Sequence, residues 1–369
     1  MKRFSAAVLA CALCGGAAAL IVFAHHQVAF AQAPAARPIG KPVTIKPPLG
    51  LPPVPVPADN PPTAETIALG RRLYYDTGLS IDGTVSCATC HSPTKGFTDN
   101  KPVSNGVQNK TGTRNSPTVI NSAYSSLQFW DGRASSLEKQ AEGPMANPVE
   151  MAHTLAGVVD HVQKDASYRD QFKQAWGTDQ ITIDMLAKSI ASFERTVLSG
   201  NSPFDRFYYG GDKKALSASA QRGLKVFVNP KRGNCAVCHT IEQNYALFTD
   251  NKFHNIGIGV DTRGEFADTG RQSQTKNAAE MGAFKTPTLR NVTQTAPYMH
   301  DGSMPDLKAV IDHYIGGGNS NPHLDKEIHL LDFLNGRERE DLQEFLKSLT
   351  GELPADVGPP PAESAPKAP

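Results

Sequence analysis

Two copies of a five-residue motif, C-x-x-C-H, carry the residue types in this chain best suited to chemistry. In the first copy, Cys87 and Cys90 can each add a thiol to one vinyl group of a haem, and His91 can then bind the iron. The second copy consists of Cys235, Cys238 and His239. A thiol redox pair or half of a zinc site is the alternative for a single copy. Two copies favour a covalent c-type haem at each motif.

The amino-terminal residues have the pattern of a secretory signal peptide. Two basic residues precede an apolar run that ends near Phe23, and an A-x-A site ends at Ala31. Segment 1–31 is therefore predicted to be removed, with an uncleaved membrane anchor as the alternative. Cys11 follows too short an apolar stretch for a lipoprotein site. Export suits a c-type haem, which bacteria attach outside the cytoplasm, and we expect a periplasmic protein.

Cysteine use and charge agree with that compartment. Of six cysteines, Cys11 and Cys14 lie in the leader and the other four lie in the two motifs, which leaves none for a disulfide. Removing Lys2 and Arg3 changes the formal net charge from +1 to −1. This balance does not favour binding to nucleic acid or to an anionic membrane surface. No later apolar run is long enough to span a bilayer.

Proline-rich segments flank the part of the chain that carries the motifs. Segment 32–62 is predicted to be an extended or disordered tether, and segment 353–369 a disordered tail. The residues between them are sufficient for two domains. We place these domains at 63–210 and 211–352.

Both predicted domains follow the same plan. Thr63 can cap a helix just before the first motif, and Ser217 can cap a helix just before the second. Apolar stripes predict further helices over 183–197 and 337–349, the latter stopped by the following glycine. Signals for β-hairpins are few. The fold class is therefore mainly α, with two cytochrome c-like domains, each carrying one covalent c-type haem, and long loops.

Three further stretches resemble the bacterial di-haem cytochrome c peroxidase family, which includes the MauG-type enzymes. They span residues 114–118, 129–151 and 284–291. The resemblance covers nearly all of the chain outside its two tails. It implies an enzyme that reduces hydrogen peroxide to water with electrons from a cytochrome c, a cupredoxin or a similar small donor. Homodimers are common in the family.

The loop after the first motif departs from many family members. Segment 101–118 contains no histidine, and Val107 lies where many members carry a histidine that blocks the iron. The resemblance therefore implies a first haem that is five-coordinate or water-bound at rest and reactive without prior reduction. This favours the MauG-type alternative, which oxidises a protein side chain through a bis-haem high-valent state. A di-haem electron carrier without peroxidase activity is an alternative of another class.

The resemblance assigns four residues near the first haem. Glu150 matches the glutamate that moves protons between the peroxide oxygens, a role typically worth about 10²–10⁴ in rate. Gln140 and Pro144 match residues of the same distal pocket, and Trp130 matches a tryptophan between the two haems. Without the resemblance, Glu150 would also suit a surface position or a helix cap, and Trp130 an ordinary core position.

The second haem needs an iron ligand opposite His239. Methionine raises a haem potential, whereas tyrosinate lowers it. Alignment with the family leads to Tyr314, where well-studied peroxidases have methionine and MauG-type enzymes have tyrosine. A packed core tyrosine is the alternative. The other downstream candidates are Met281, Tyr298, Met299, His300, Met304 and His313.

The resemblance also implies a calcium ion between the two domains. The matching positions are the Asn115 side chain and the carbonyl oxygens of Thr295 and Pro297. Oxygen ligands suit this hard cation. Without the resemblance, these residues are equally suited to turns.

Overall fold

The computed structural model describes residues 36–331 and 333–361. Within them the chain is mainly helical, as the sequence predicts. The predicted signal peptide, 1–31, lies outside the described residues. The helices are α1 Ala64–Tyr75, α2 Cys87–Cys90, α3 Leu137–Ala146, α4 Leu155–Lys164, α5 Ala166–Trp176, α6 Ile183–Glu194, α7 Pro203–Tyr208, α8 Ala218–Val228, α9 Gln272–Thr275, α10 Leu307–Ile315 and α11 Gly336–Lys347.

The first hydrophobic core forms around the crossing of α1 and α6. Thr63 caps α1 as predicted, because its side chain accepts a hydrogen bond from the Thr66 backbone N–H. Leu69, Leu73 and the other buried residues of α1 face α6. A Cβ on Gly70 would overlap the Ser189 carbonyl oxygen, so the glycine permits this close approach.

The second core repeats this arrangement with α8 and α11. Ser217 caps α8 through the Ala220 N–H, which confirms the predicted helix start. Gly223 lies against the backbone of α11, where a Cβ would overlap the Asp341 carbonyl oxygen. In each half, a helix that precedes a C-x-x-C-H motif therefore packs on a later long helix, α6 or α11. The domain boundaries at 63–210 and 211–352 stay predictions.

The proline-rich segments are more ordered than the sequence suggests. Residues 36–62 run extended over both cores rather than as a free tether, and the Pro52 and Pro55 carbonyl oxygens accept hydrogen bonds from Tyr124 and Arg195. An extended proline-rich backbone leaves its carbonyl groups free, so side chains of the cores can bind them.

The start of the predicted disordered tail is also packed. Val357 is buried in the first core, and its carbonyl oxygen accepts a hydrogen bond of 2.7 Å from the Tyr75 hydroxyl. The Arg71 guanidinium binds the next carbonyl, that of Gly358, at 2.6 Å. Residues 362–369 lie outside the described part of the chain.

Two short strands contribute the β-structure of the described residues. They are β1, Phe253–His254, and β2, Phe284–Lys285, which pair antiparallel. The predicted scarcity of β-structure is confirmed. Across the described ranges, no helix is both long and apolar enough to cross a membrane.

Candidate haem sites

The first motif forms a single helical turn that presents its histidine. Cys87–Cys90 are helical, and His91 follows at the carboxyl end. The His91 Nδ1–H donates to the Phe97 carbonyl oxygen at 3.3 Å. This hydrogen bond fixes the tautomer and leaves Nε2 available for a metal. Burial lowers the pKa of His91, which favours the neutral, metal-binding form.

The second motif presents its histidine in the same way. His239 follows a short 3₁₀ turn, Cys235–Val237, and its Nδ1–H donates to the Phe248 carbonyl oxygen at 2.9 Å. Burial again lowers the pKa of this imidazole. Two motifs far apart in sequence therefore orient their histidines by the same backbone contact.

The four thiols fit covalent haem attachment better than redox chemistry. None of the four motif cysteines, which all lie in the described residues, forms a disulfide. Burial raises the pKa of Cys90 to about 11 and that of Cys235 to about 12. Reactive redox thiols have a lowered pKa, so the environments of Cys90 and Cys235 do not favour a redox role.

The space beside the second motif fits a haem. His239 and both cysteines of the motif open into a large cavity. Its walls are largely apolar, as a porphyrin requires. The apolar walls include Phe227, Ile311, Leu342 and Leu346.

Glu150 lies beside the first motif, and its surroundings shift the pKa of its carboxyl group. Its side chain is half-buried. Burial is the main cause that raises the pKa of the Cys87 and Cys90 thiols, and the nearby Glu150 charge adds to it. Burial raises the pKa of Glu150 above its ordinary value of 4.5, while Arg133 and a 2.6 Å hydrogen bond from Asn147 Nδ2 to Oε1 oppose the increase. A carboxyl group tuned upward in this way suits proton transfer.

The other predicted distal residues lie on α3 and in the preceding loop. Gln140 and Pro144 are four residues apart on α3, and therefore share one face of the helix. Val107 is buried in the first core, and its N–H donates to the Glu150 carbonyl oxygen at 2.8 Å. The residue at the position of the missing histidine thus holds the backbone of the predicted catalytic glutamate.

Trp130 joins the two halves. Its indole Nε1–H donates to the Asn115 carbonyl oxygen at 2.8 Å, and its own carbonyl accepts from the Lys285 N–H at 2.8 Å. The ring lines the same cavity as His239 and Tyr314. The tryptophan is therefore a wall of the second haem cavity, bonded to both halves of the chain.

Residues 115–144 and 285–314 are structural counterparts that align without a gap. Each begins with two polar residues followed by a Pro-Thr pair, and each has an asparagine with left-handed backbone, Asn121 or Asn291. Asn121 bonds the chain after α6, and Asn291 bonds the chain after α11. Each stretch then forms a narrow loop closed by one antiparallel β-bridge and ends in a helix, α3 or α10.

This alignment places Pro144 of the first half at the position of Tyr314 in the second. The helices α3 and α10 begin at Leu137 and Leu307, and both residues of interest follow seven positions later. Tyr314 faces the cavity beside His239. Proline has no group that could bind a metal at the matching position, so the two halves differ at the point where one offers an iron ligand.

Several alternative ligands are already engaged. The Tyr298 hydroxyl donates to the Val292 carbonyl oxygen at 2.9 Å, and His313 Nε2–H donates to the Ile256 carbonyl oxygen at 2.9 Å. The His300 ring stacks on Phe284 with centroids 3.5 Å apart. Burial raises the pKa of Tyr314. Tyr314 lines the cavity and stays the predicted ligand, and Met299 lines the same cavity.

The three predicted calcium positions, Asn115, Thr295 and Pro297, all belong to the lining of the large cavity. The Asn115 amide nitrogen donates to the Lys101 carbonyl oxygen at 2.8 Å, which leaves the amide oxygen facing away from that bond. An amide oxygen is a ligand type that calcium accepts, and the calcium site stays a prediction.

Four polar residues near the second motif were not predicted from the sequence. His254 is bonded to Asp250 at 2.9 Å and to Asp325 at 2.6 Å. Asp250, the neighbouring Cys238 thiol and Asp325 raise the pKa of this imidazole to about 11. Lys285 lines the cavity. These contacts join residues distant in sequence, and only the position of Asp250 two residues after Phe248, as Asp99 follows Phe97, could have drawn attention to them.

Comparisons with known proteins identify the family. Residues 64–214 match the model of the di-haem cytochrome c peroxidase family. The methylamine utilization protein MauG of Methylophilus methylotrophus is 39% identical over 300 residues, which cover 81% of this chain and 86% of that protein. The cytochrome c551 peroxidase of Nitrosomonas europaea is 36% identical over 300 residues, covering 81% and 84% of the two chains.

A solved structure supports the same assignment. The crystal structure of a MauG-like protein associated with microbial copper homeostasis is 33% identical, with a TM-score of 0.75, and the match covers 83% of this chain and 95% of that one. The sequence identity, the coverage and the paired C-x-x-C-H geometry agree. The chain belongs to the di-haem cytochrome c peroxidase family, which implies one haem at each motif.

Proposed function

We propose that this protein is a periplasmic enzyme that reduces hydrogen peroxide to water with electrons from a small carrier such as a cytochrome c or cupredoxin. The observation that carries the proposal is the contrast between Pro144, which cannot bind iron, and Tyr314, which can. Glu150 lies beside the first motif, where Pro144 leaves the iron without a second protein ligand. One peroxide, two electrons and two protons give two water molecules. The haem held by Cys87, Cys90 and His91 supplies the electron-transfer chemistry that breaks the O–O bond.

The chain's own residues manage the protons. Glu150 in its carboxylate form accepts a proton from one peroxide oxygen and returns it to the other, which then leaves as water. The Asn147 amide holds Oε1 of this carboxylate at 2.6 Å, so Oε2 is the oxygen free for the transfer. Gln140 shares a helix face with Pro144 and orients the peroxide by hydrogen bonding.

Electrons reach this site from the second half. Cys235, Cys238 and His239 would hold the second haem and Tyr314 would bind its iron, and this haem would supply the entry point for electrons from the donor. Trp130 relays them, since it lines the second cavity and is bonded to both halves. Calcium at the Asn115, Thr295 and Pro297 positions would tie the halves together. A homodimer is the oligomer we expect.

A second version of the function, of the MauG type, has its own support. A tyrosine at position 314 and a valine at position 107 favour a protein side chain as the electron source. Addition of peroxide to the fully oxidised protein separates the versions. A long-lived oxidised spectrum involving both haems supports the MauG type, whereas rapid turnover with reduced cytochrome c supports the peroxidase.

Glu150→Gln tests the catalytic assignment. The variant keeps the size of the side chain but cannot accept a proton, so peroxide turnover should fall by about 10²–10⁴. The control is Glu142→Gln on α3, whose carboxylate pairs with the exposed Lys139 and should be dispensable. Unchanged turnover in Glu150→Gln would contradict the assignment, and no turnover in the wild type would favour the electron carrier.

The pH profile gives a second test of Glu150. Its pKa lies above 4.5, and only the carboxylate accepts a proton. Turnover by the wild type should therefore decrease as the pH falls through this raised pKa. In Glu150→Gln the residual activity should lack that acid limb, and persistence of the limb would assign it to another group.

A further inference from the structure

Lys285 is a half-buried cation that lines the large cavity and has no counter-ion among the described residues. Its ammonium group donates to the Ser125 hydroxyl at 3.1 Å, and no carboxylate pairs with it in the described part of the chain. Burial alone lowers its pKa to about 8. A buried charge without a partner is costly, so such a group in a binding cavity points to an anionic ligand.

The position of Lys285 identifies the ligand that fits. The side chain lines the cavity that contains His239 and Tyr314, and strand β2 fixes its direction by pairing with Phe253. The other charged groups on this wall are engaged, because His254 lies between two aspartates and Glu327 accepts from Asn234 at 3.3 Å. A haem bound here carries two propionate groups, and each needs a counter-charge.

We propose that Lys285 binds a propionate of the second haem and holds that edge of the haem against Trp130. The same residue donates its backbone N–H to the Trp130 carbonyl oxygen at 2.8 Å. The ion pair and the backbone bond together form a short connected route from the haem edge to the tryptophan. The inference depends on a haem at the second motif and on the role of Trp130, but not on the role of Glu150.

The ion pair also sets the potential of the second haem. A propionate without its cation stabilises the more positive ferric iron, so loss of the cation should lower the reduction potential. The first haem lies outside this contact and serves as an internal reference. Its potential should not change.

The test compares Lys285→Met with Lys285→Arg in the purified two-haem protein, with haem content confirmed by mass. Lys285→Met should favour the ferric state of the second haem at least tenfold, which is 59 mV for one electron, in a spectroelectrochemical titration. Lys285→Arg should restore most of the potential. The resonance Raman bending mode of the propionate should shift in Lys285→Met and return in Lys285→Arg.

Two further variants serve as a control and as a substitute for Lys285→Met. Lys252→Met removes an exposed lysine close to the partner strand β1 and should leave both potentials unchanged. Lys285→Gln keeps a hydrogen-bond donor toward Ser125 but not the charge, and it replaces Lys285→Met if that variant does not bind haem. A wild-type potential and Raman mode in Lys285→Gln, or equal shifts of both haems, would overturn the proposal. If the Lys285 variants give the expected potentials and Raman shifts but the wild type does not turn over peroxide, the ion pair is supported and the proposed function is rejected.

Discussion

The two halves of the molecule share one arrangement of helices and loops, their common frame, but they differ in a few side chains placed on it. In both, a helix with one closely packed glycine, Gly70 or Gly223, crosses a later long helix, α6 or α11. In both, a left-handed asparagine, Asn121 or Asn291, binds residues that follow this later helix. The parts that support a covalent haem are therefore duplicated.

The differences lie at a few side chains on this frame. Pro144 in the first half corresponds to Tyr314 in the second, and Ile120 corresponds to Arg290. The first exchange removes a group that could bind iron, which leaves one side open for a substrate. The second exchange places a fully buried ion pair, at 2.8 Å, between Arg290 and Asp205 of α7, whereas Ile120 is uncharged. A repeated fold can thus separate catalysis from electron entry by single substitutions.

The sharpest test of this contrast removes the proposed ligand of the second haem. Tyr314→Phe keeps the ring but loses the oxygen, so the second iron should become five-coordinate. The resting low-temperature EPR spectrum should change from one high-spin haem to two. Tyr298→Phe is the control, because that hydroxyl already donates to the Val292 carbonyl oxygen. An unchanged spectrum in Tyr314→Phe would show that another residue binds the iron.

The next largest effect concerns the buried ion pair that Arg290 forms and Ile120, its counterpart, cannot form. Asp205→Ala should lower the free energy of unfolding by about 3–5 kcal/mol, because it leaves the Arg290 charge buried and unpaired. Urea denaturation of the two-haem protein measures the change. The double variant Asp205→Leu with Arg290→Met should lose much less, in line with Ile120 in the first half. A large loss in the double variant would mean that the charges themselves stabilise this site.

An exposed pair provides the control for that comparison. Glu344 and Lys347 on α11 are 2.6 Å apart, with both side chains largely in solvent. Glu344→Ala should change the free energy of unfolding very little, because solvent screens such pairs.

A smaller and symmetrical effect tests the shared frame. Gly70→Ala and Gly223→Ala should each destabilise the protein by about 1–3 kcal/mol, because each Cβ would overlap a backbone carbonyl oxygen of the crossing helix. The control is Gly336→Ala at the start of α11, where a Cβ meets open space. Thermal unfolding monitored by circular dichroism measures all three. Destabilisation by only one of the two substitutions, Gly70→Ala or Gly223→Ala, would show that the two helix crossings are not equivalent.

The sequence alone predicted the parts that depend on local spacing. The two motifs, the caps at Thr63 and Ser217 and the family resemblance all rest on residues close together in the chain. The predicted helices over 183–197 and 337–349 were found, although the structure ends them slightly earlier, at Glu194 and Lys347. Helix ends depend on caps and on packing, which apolar stripes do not encode.

Tertiary structure decided the features that join distant residues. The order of the proline-rich segment depends on side chains such as Tyr124 and Arg195, which lie far from it in sequence. Lys285 has an unpaired charge because no carboxylate of the described residues lies next to it. The correspondence of Pro144 with Tyr314 becomes visible when the two halves are compared. Composition and periodicity report neighbours along the chain, whereas cavities and buried charges are properties of neighbours across it.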